Sequence, residues 1–173
     1  MAETNAELAT LFLEFSRQKL LGQYWLRLRE TVAPLSEEQV WWRPNEASNS
    51  IGNLVLHLNG NVGQWLVASF NRETDKRDRP LEFSERNGLP AAALLEKLGA
   101  TMEQAAQVLA RLTTEELLAP YEIQGYKLRG LDAVYQVVEH FGLHYGQIIY
   151  ISKNLTGKDL GFYRELNKTG RAS

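Results

Sequence analysis

Apolar residues return every three or four positions along four long stretches of this chain, a pattern that leaves each stretch with one greasy face to bury against another helix. From about Asn5 to Ala33 the repeat runs through Leu8, Leu11, Phe12, Phe15, Leu20, Leu21, Tyr24, Trp25 and Leu28. Pro34 ends it, because the residue before a proline is pushed out of helical geometry. A second stripe, Ile51, Leu54, Val55, Leu58, Val62, Trp65 and Leu66, follows the capping residue Ser50. A third occupies the alanine-rich run from Pro90 to Leu112, and the fourth spans about Leu131 to Asn154, with Gly157 as its stop signal.

The intervals carry shorter signals. Ser36-Glu37-Glu38-Gln39 has the form of a capping box, and Thr114-Glu115-Glu116-Leu117 reads as another short turn of helix. Alternation of Tyr121, Ile123, Tyr126 and Leu128 around Gly125 fits a small hairpin. Asn71 to Leu89 is charged and holds Pro80 and Gly88, so it reads as a surface connection long enough to cross between non-adjacent helices. Phe162, Tyr163 and Leu166 are expected to dock on the bundle and Asn167 to Ser173 to fray. The prediction is an all-α four-helix bundle with a long crossover connection and short extra turns, its main helices at about residues 5–33, 50–70, 90–112 and 131–154. A chain of 173 residues suits a single domain over residues 1–173.

Charge and composition narrow the function. A formal net charge of -2 gives no general attraction to nucleic acid or to an anionic membrane, and no stretch reaches the ~18 apolar residues of a membrane span. Met1-Ala2-Glu3-Thr4-Asn5 lacks the start of a signal peptide, so a cytoplasmic location is the default expectation. Cysteine is absent, which removes disulfides, thiolate ligands and a thiol nucleophile. Any metal ion would be held through nitrogen and oxygen.

Of the three histidines, His140 and His144 stand at i and i+4 on the fourth helix, so both imidazoles point the same way. His57 lies in the second helix. If those helices pack, the three rings converge, and three neutral nitrogens with an open position are what a catalytic divalent-metal site needs. One nitrogen of each ring is then expected ~2.0–2.1 Å from a common cation. The alternative is three histidines that bury carbon and satisfy their nitrogens separately. A zinc-protease reading is disfavoured, because Phe141-Gly142-Leu143 replaces the glutamate-bearing spacer of H-E-x-x-H. Asn61 and Trp65, one and two turns beyond His57, and Gln147, three residues after His144, are candidates to line a pocket. Arg43 and Tyr24 are candidates to reach an anionic substrate group.

The segments Leu35-Ser36-Glu37-Glu38-Gln39, Trp42-Arg43-Pro44, Ser50-Ile51-Gly52-Asn53-Leu54-Val55-Leu56-His57-Leu58 and His140-Phe141-Gly142-Leu143-His144-Tyr145-Gly146-Gln147-Ile148 together resemble the DinB/YfiT-like superfamily of metalloenzymes. The likeness extends from the first helix to the end of the fourth. It implies a four-helix bundle that binds a divalent cation, commonly nickel or zinc, through histidines matching His57, His140 and His144, and it implies frequent homodimers. Members with known activity include thiol-dependent S-transferases and a mycothiol-dependent isomerase. The resemblance thus implies a small-molecule substrate and, since this chain has no cysteine, a low-molecular-weight thiol as co-substrate. A metal-dependent hydrolase, or a metal-braced dimeric binding or stress-response module without turnover, would fit the same residues. No catalytic residue is assignable from the sequence.

Overall fold

The computed structural model describes residues 2–164, so the expectations for Leu166 and for residues 167–173 lie outside the described residues. Helix α1 covers residues 2–32 as three joined segments, Ala2–Arg17, a π-helical Gln18–Trp25 and Leu26–Val32. Helix α2, Glu37–Trp41, begins on the capping box of Ser36 and Gln39. Helix α3 covers residues 51–71, as Ile51–Val62, a π-helical Gly63–Ala68 and Ser69–Asn71. Arg72 in the left-handed region stops it.

The connection after α3 is not a plain loop. Asp78 accepts a hydrogen bond from the Leu81 backbone N–H, Pro80 sits in the first turn, and a short helix α4 forms over Arg79–Ser84. Helix α5, Ala91–Arg111, and helix α6, Thr114–Leu118, follow, the latter on a capping box of Thr113 and Glu116. Strands β1, Pro120–Ile123, and β2, Tyr126–Arg129, pair antiparallel with Ile123 opposite Tyr126. Gln124 (φ 53°) and Gly125 (φ 79°) form the two-residue loop between them, and two positive φ values in succession are those of a type I′ turn. Helix α7, Gly130–Thr156, completes the bundle and ends at Gly157.

Leu20 and Leu28 of α1, Leu54, Leu58 and Leu66 of α3, Leu94, Leu98 and Leu109 of α5, and Phe141 of α7 are fully buried in one core. Each such side chain contributes roughly 1.5–3 kcal/mol by leaving water. The bundle places α3 against α5, α4 and α7, while α1 packs on α7 and α5. Contact between α3 and α7 brings the two histidine-bearing helices side by side. Past α7 the chain folds back so that Phe162 and Tyr163 flank Arg27, whose guanidinium lies 5.1 and 5.0 Å from the two ring centroids. Among the described residues no helix is long and apolar enough to cross a membrane.

Candidate metal centre

His57, His140 and His144 offer nitrogen atoms that all lie within 4.8 Å of one another. Ring centroids are 5.0 Å apart for His57 and His140, 4.9 Å for His57 and His144, and 4.4 Å for His140 and His144. Helical periodicity alone sets the last of these. The first two depend on how α3 lies against α7.

His57 is 4% exposed and is held from behind. Its Nδ1 lies 2.8 Å from Oε2 of Glu82, which α4 delivers from the crossover segment. Burial pushes the Glu82 carboxyl up, but hydrogen bonds from Arg77 and His57 and the charge of Arg77 outweigh it and hold the group below its usual range. An ionised carboxylate only accepts, so Nδ1 carries the proton and donates it. Arg77 Nη2 also approaches Nδ1, at 3.1 Å, but two donors do not bond each other and both converge on Oε2. The Nε2 lone pair of His57 is thereby turned toward α7, where Nε2 of His140 stands 2.9 Å away.

Arg77 is itself fixed. Its Nε donates to Glu82 Oε1 at 2.7 Å, its Nη2 to Oε2 at 2.9 Å, and its Nη1 to Gln64 Oε1 at 2.9 Å. Gly60, one turn after Leu56 on α3, is the floor of this pair, because a Cβ there would collide with Glu82 Oε1 and come 2.8 Å from Arg77 Nε. Asn53, one turn before His57 and 1% exposed, ties down the far end of α4 by donating to the backbone oxygens of Glu82 at 3.0 Å and Glu85 at 2.9 Å. Most of residues 71–89 are exposed, as a surface connection requires, but the expected plain connection holds a helix, and the buried side chains of Glu82 and Arg77 make part of it a wall of the site. Asp78 before Arg79-Pro80 was the local signal for its helix.

The α7 side is less enclosed. His140 and His144 are half-buried. Burial, followed by the neighbouring His144, His57, Arg77 and Arg79, lowers the His140 pKa to about 4. Burial also lowers that of His144, against a hydrogen bond to Gln147 that raises it. Gln147 Oε1 accepts from His144 Nδ1 at 2.7 Å, which leaves His144 Nε2 with its lone pair. Both histidines are therefore neutral near pH 7, the form that ligates metals.

A cleft of about 480 Å³ opens on His57 and His140 and includes Asn61 and Trp65 in its lining. Gln147 touches the site only through His144 and lines a separate hollow with Leu143 and Tyr150. Arg43 instead pairs with Glu46 at 3.1 Å. Tyr24 packs on the far side of α7, 6.4 Å from Phe141 and 5.4 Å from Tyr145 between centroids, and closes over Gly142. Neither Arg43 nor Tyr24 is among the residues that line the cleft. The residues missing from the sequence reading are Glu82, Arg77, Asn53 and Gly60.

The donor set fits a divalent cation: three imidazoles, two of them with Nδ1 on an acceptor behind the ring, with nitrogens converging from two helices.

Comparison with known proteins agrees with this architecture. A DinB-like protein from Bacillus cereus ATCC 10987 superposes with a TM-score of 0.63 at 10% identity, over 79% of this chain and 88% of that one. A conserved protein from Enterococcus faecalis gives 0.65 at 15% identity, over 88% and 98%. At such identities the likeness concerns the fold. No curated protein matches the sequence. The family model of the DinB superfamily matches residues 20–148, from the π-helical part of α1 through both histidines of α7, and the chain belongs to that superfamily.

Proposed function

We propose that the chain is a divalent-metal-dependent enzyme acting on a small molecule, with His57, His140 and His144 as the metal ligands and a low-molecular-weight thiol as co-substrate of an S-transfer reaction. The observation that carries the reading is the anchoring of His57. A buried Glu82–Arg77 pair, expensive to desolvate, is spent on holding one imidazole tautomer toward two others. Histidines that merely fill a core do not require such a device.

A nickel or zinc ion in this position would supply Lewis acidity that makes a thiol or water easier to deprotonate. The protein's own part is to present three converging imidazole nitrogens, to keep His57 from rotating, and to offer the adjacent cleft for the second reactant. In the transfer, the thiol sulfur forms a bond to an electrophilic carbon, the displaced group departs with the electron pair, and the thiol proton passes to solvent. With no cysteine in the chain, the thiol is supplied from outside. The same proposal includes a homodimer in the cytoplasm, with Leu8, Leu11 and Phe15 exposed along one face of α1 as the contact surface.

The test is elemental analysis of protein purified without chelator, combined with a panel of small thiols against electrophiles. The expected result is about one divalent ion per chain, as a three-histidine site holds, and turnover only with thiol present. Turnover of esters or amides without thiol would turn the reading to a hydrolase. Metal that raises thermal stability with no turnover on any substrate would turn it to a metal-braced binding module.

A further inference from the structure

Two buried polar atoms in the cleft have nothing to bond. Asn61 and Trp65 are 4% and 6% exposed, and Asn61 Oδ1 and Trp65 Nε1 find no hydrogen-bond partner among the described residues. Leaving such atoms unpaired costs about 1–3 kcal/mol each, so a fold that keeps both at one site calls for a ligand that pairs them. Both residues line the cleft that opens on His57 and His140. Asn61 lies four residues beyond His57, ~6 Å further along the helix axis at the α-helical rise, and Trp65 follows in the π-helical turn.

The charges of the cleft specify the rest of that ligand. Arg77 is neutralised by Glu82, while Asp132 accepts from the Arg129 backbone N–H at 2.9 Å and keeps its charge, so that with Arg79 and Lys127 the cleft carries a net positive charge. Arg79 and Lys127 line the same cleft and have no ion-pair partner among the described residues. Arg79 is steadied by Phe83, with its guanidinium 5.0 Å from the ring centroid. Trp65 and Tyr126, 6.3 Å apart between centroids and inclined by 39°, supply aromatic surface on one side. An unpaired donor, an unpaired acceptor, a net positive charge and aromatic surface make a site for a small molecule that ends in a negative charge.

We propose that the cleft binds a small organic carboxylate, its anionic end at Arg79 and Lys127 and its other, hydroxyl-bearing end on Asn61 Oδ1 and Trp65 Nε1. This deepens the metal-enzyme reading by naming the class of the second substrate. The anion contacts involve none of the histidines, so the two are separable by experiment.

The probes are 4-hydroxybenzoate and its uncharged analogue 4-hydroxybenzamide, titrated calorimetrically at constant ionic strength into the full chain, once metal-free and once loaded with nickel. The acid is expected to bind at least about tenfold more tightly than the amide in both forms. An Arg79→Gln/Lys127→Gln double variant should erase that preference, lowering the affinity of the acid at least about tenfold more than that of the amide. Asn61→Leu should weaken both probes. Equal affinities for acid and amide, a preference that survives the double variant, or no saturable binding below ~10 mM, which corresponds to less than about 3 kcal/mol, overturns the proposal. A preference lost only when nickel is removed also overturns it, since the carboxylate then sits on the ion, and the metal reading stands. Discrimination that persists in a protein unable to retain nickel upholds the anion site while the metal reading fails.

Discussion

The two sides of the histidine cluster are built in opposite ways. On the α3 side one ring, His57, is buried and braced by a carboxylate, a guanidinium and an asparagine from the same helix and the crossover. On the α7 side two rings, His140 and His144, are half-buried, and only His144 has a side-chain brace, Gln147, itself exposed. The difference follows from local geometry. An i, i+4 pair on a rigid helix is already aligned by the backbone, whereas a lone histidine on a neighbouring helix has to be aimed by other side chains.

The largest expected effect comes from removing a ligand on either side. His57→Ala and His144→Ala should each reduce the metal content measured by elemental analysis from about one ion per chain to none, since two nitrogens make a poor divalent site. Retention of the ion by His57→Ala alone would show that the α7 pair suffices and would dissolve the contrast.

Next come the braces. Glu82→Ala strips the buried Arg77 of its counter-charge and should cost about 3–5 kcal/mol in urea unfolding of the metal-free protein. Glu82→Gln, which keeps the shape, should weaken metal binding by about 10–100-fold in a competition titration with a chelator. Gly60→Ala is expected to act in the same direction and less strongly, because its new methyl group displaces the Glu82 carboxylate without removing it.

Acid should sharpen the comparison further. The His140 imidazole takes a proton near pH 6.5 in the unfolded chain and at about 4 in the folded one, so in that window the unfolded state binds more protons. Stability of the metal-free protein is therefore complete above pH 6.5 and declines as the pH falls toward about 4. The depressed Glu82 adds a second contribution, fully present above its ordinary value of 4.5 and lost as the pH falls below it. Denaturant midpoints that stay flat between pH 6.5 and about 4 would contradict this. The smallest effect belongs to Gln147→Ala, whose exposed hydrogen bond competes with water and whose loss should change metal affinity only a few-fold.

Sequence periodicity was enough to find the four long helices, the hairpin at Gly125 and the alignment of His140 with His144, because each rests on a local repeat or a turn residue with a steric requirement, whereas the arrival of His57 depended on α3 packing against α7. The π-helical turns over Gln18–Trp25 and Gly63–Ala68 left no such mark, since a widened turn is a matter of packing and not of residue type. Glu82 and Arg77 were hidden for another reason. In a run holding Arg72, Glu73, Asp75, Lys76, Asp78 and Arg79, nothing in composition distinguishes the one carboxylate and the one guanidinium that fold inward. Their burial is a tertiary fact, visible only once α4 is seen lying on α3.

The spacing of the cluster along the chain bears on how the protein reaches its native state. His140 and His144 are juxtaposed as soon as α7 is helical, whereas His57 meets His140 across 83 residues of sequence and Glu82 across 25. An ion encountered early can staple α7 through the local pair and lower the entropic cost of nucleating that helix. The third nitrogen becomes available only when the long-range loop has closed. On the proposed ligation, metal affinity would rise in two stages during folding, and the gain at the second stage would be free energy that favours the completed topology over every compact alternative in which α3 and α7 are not neighbours.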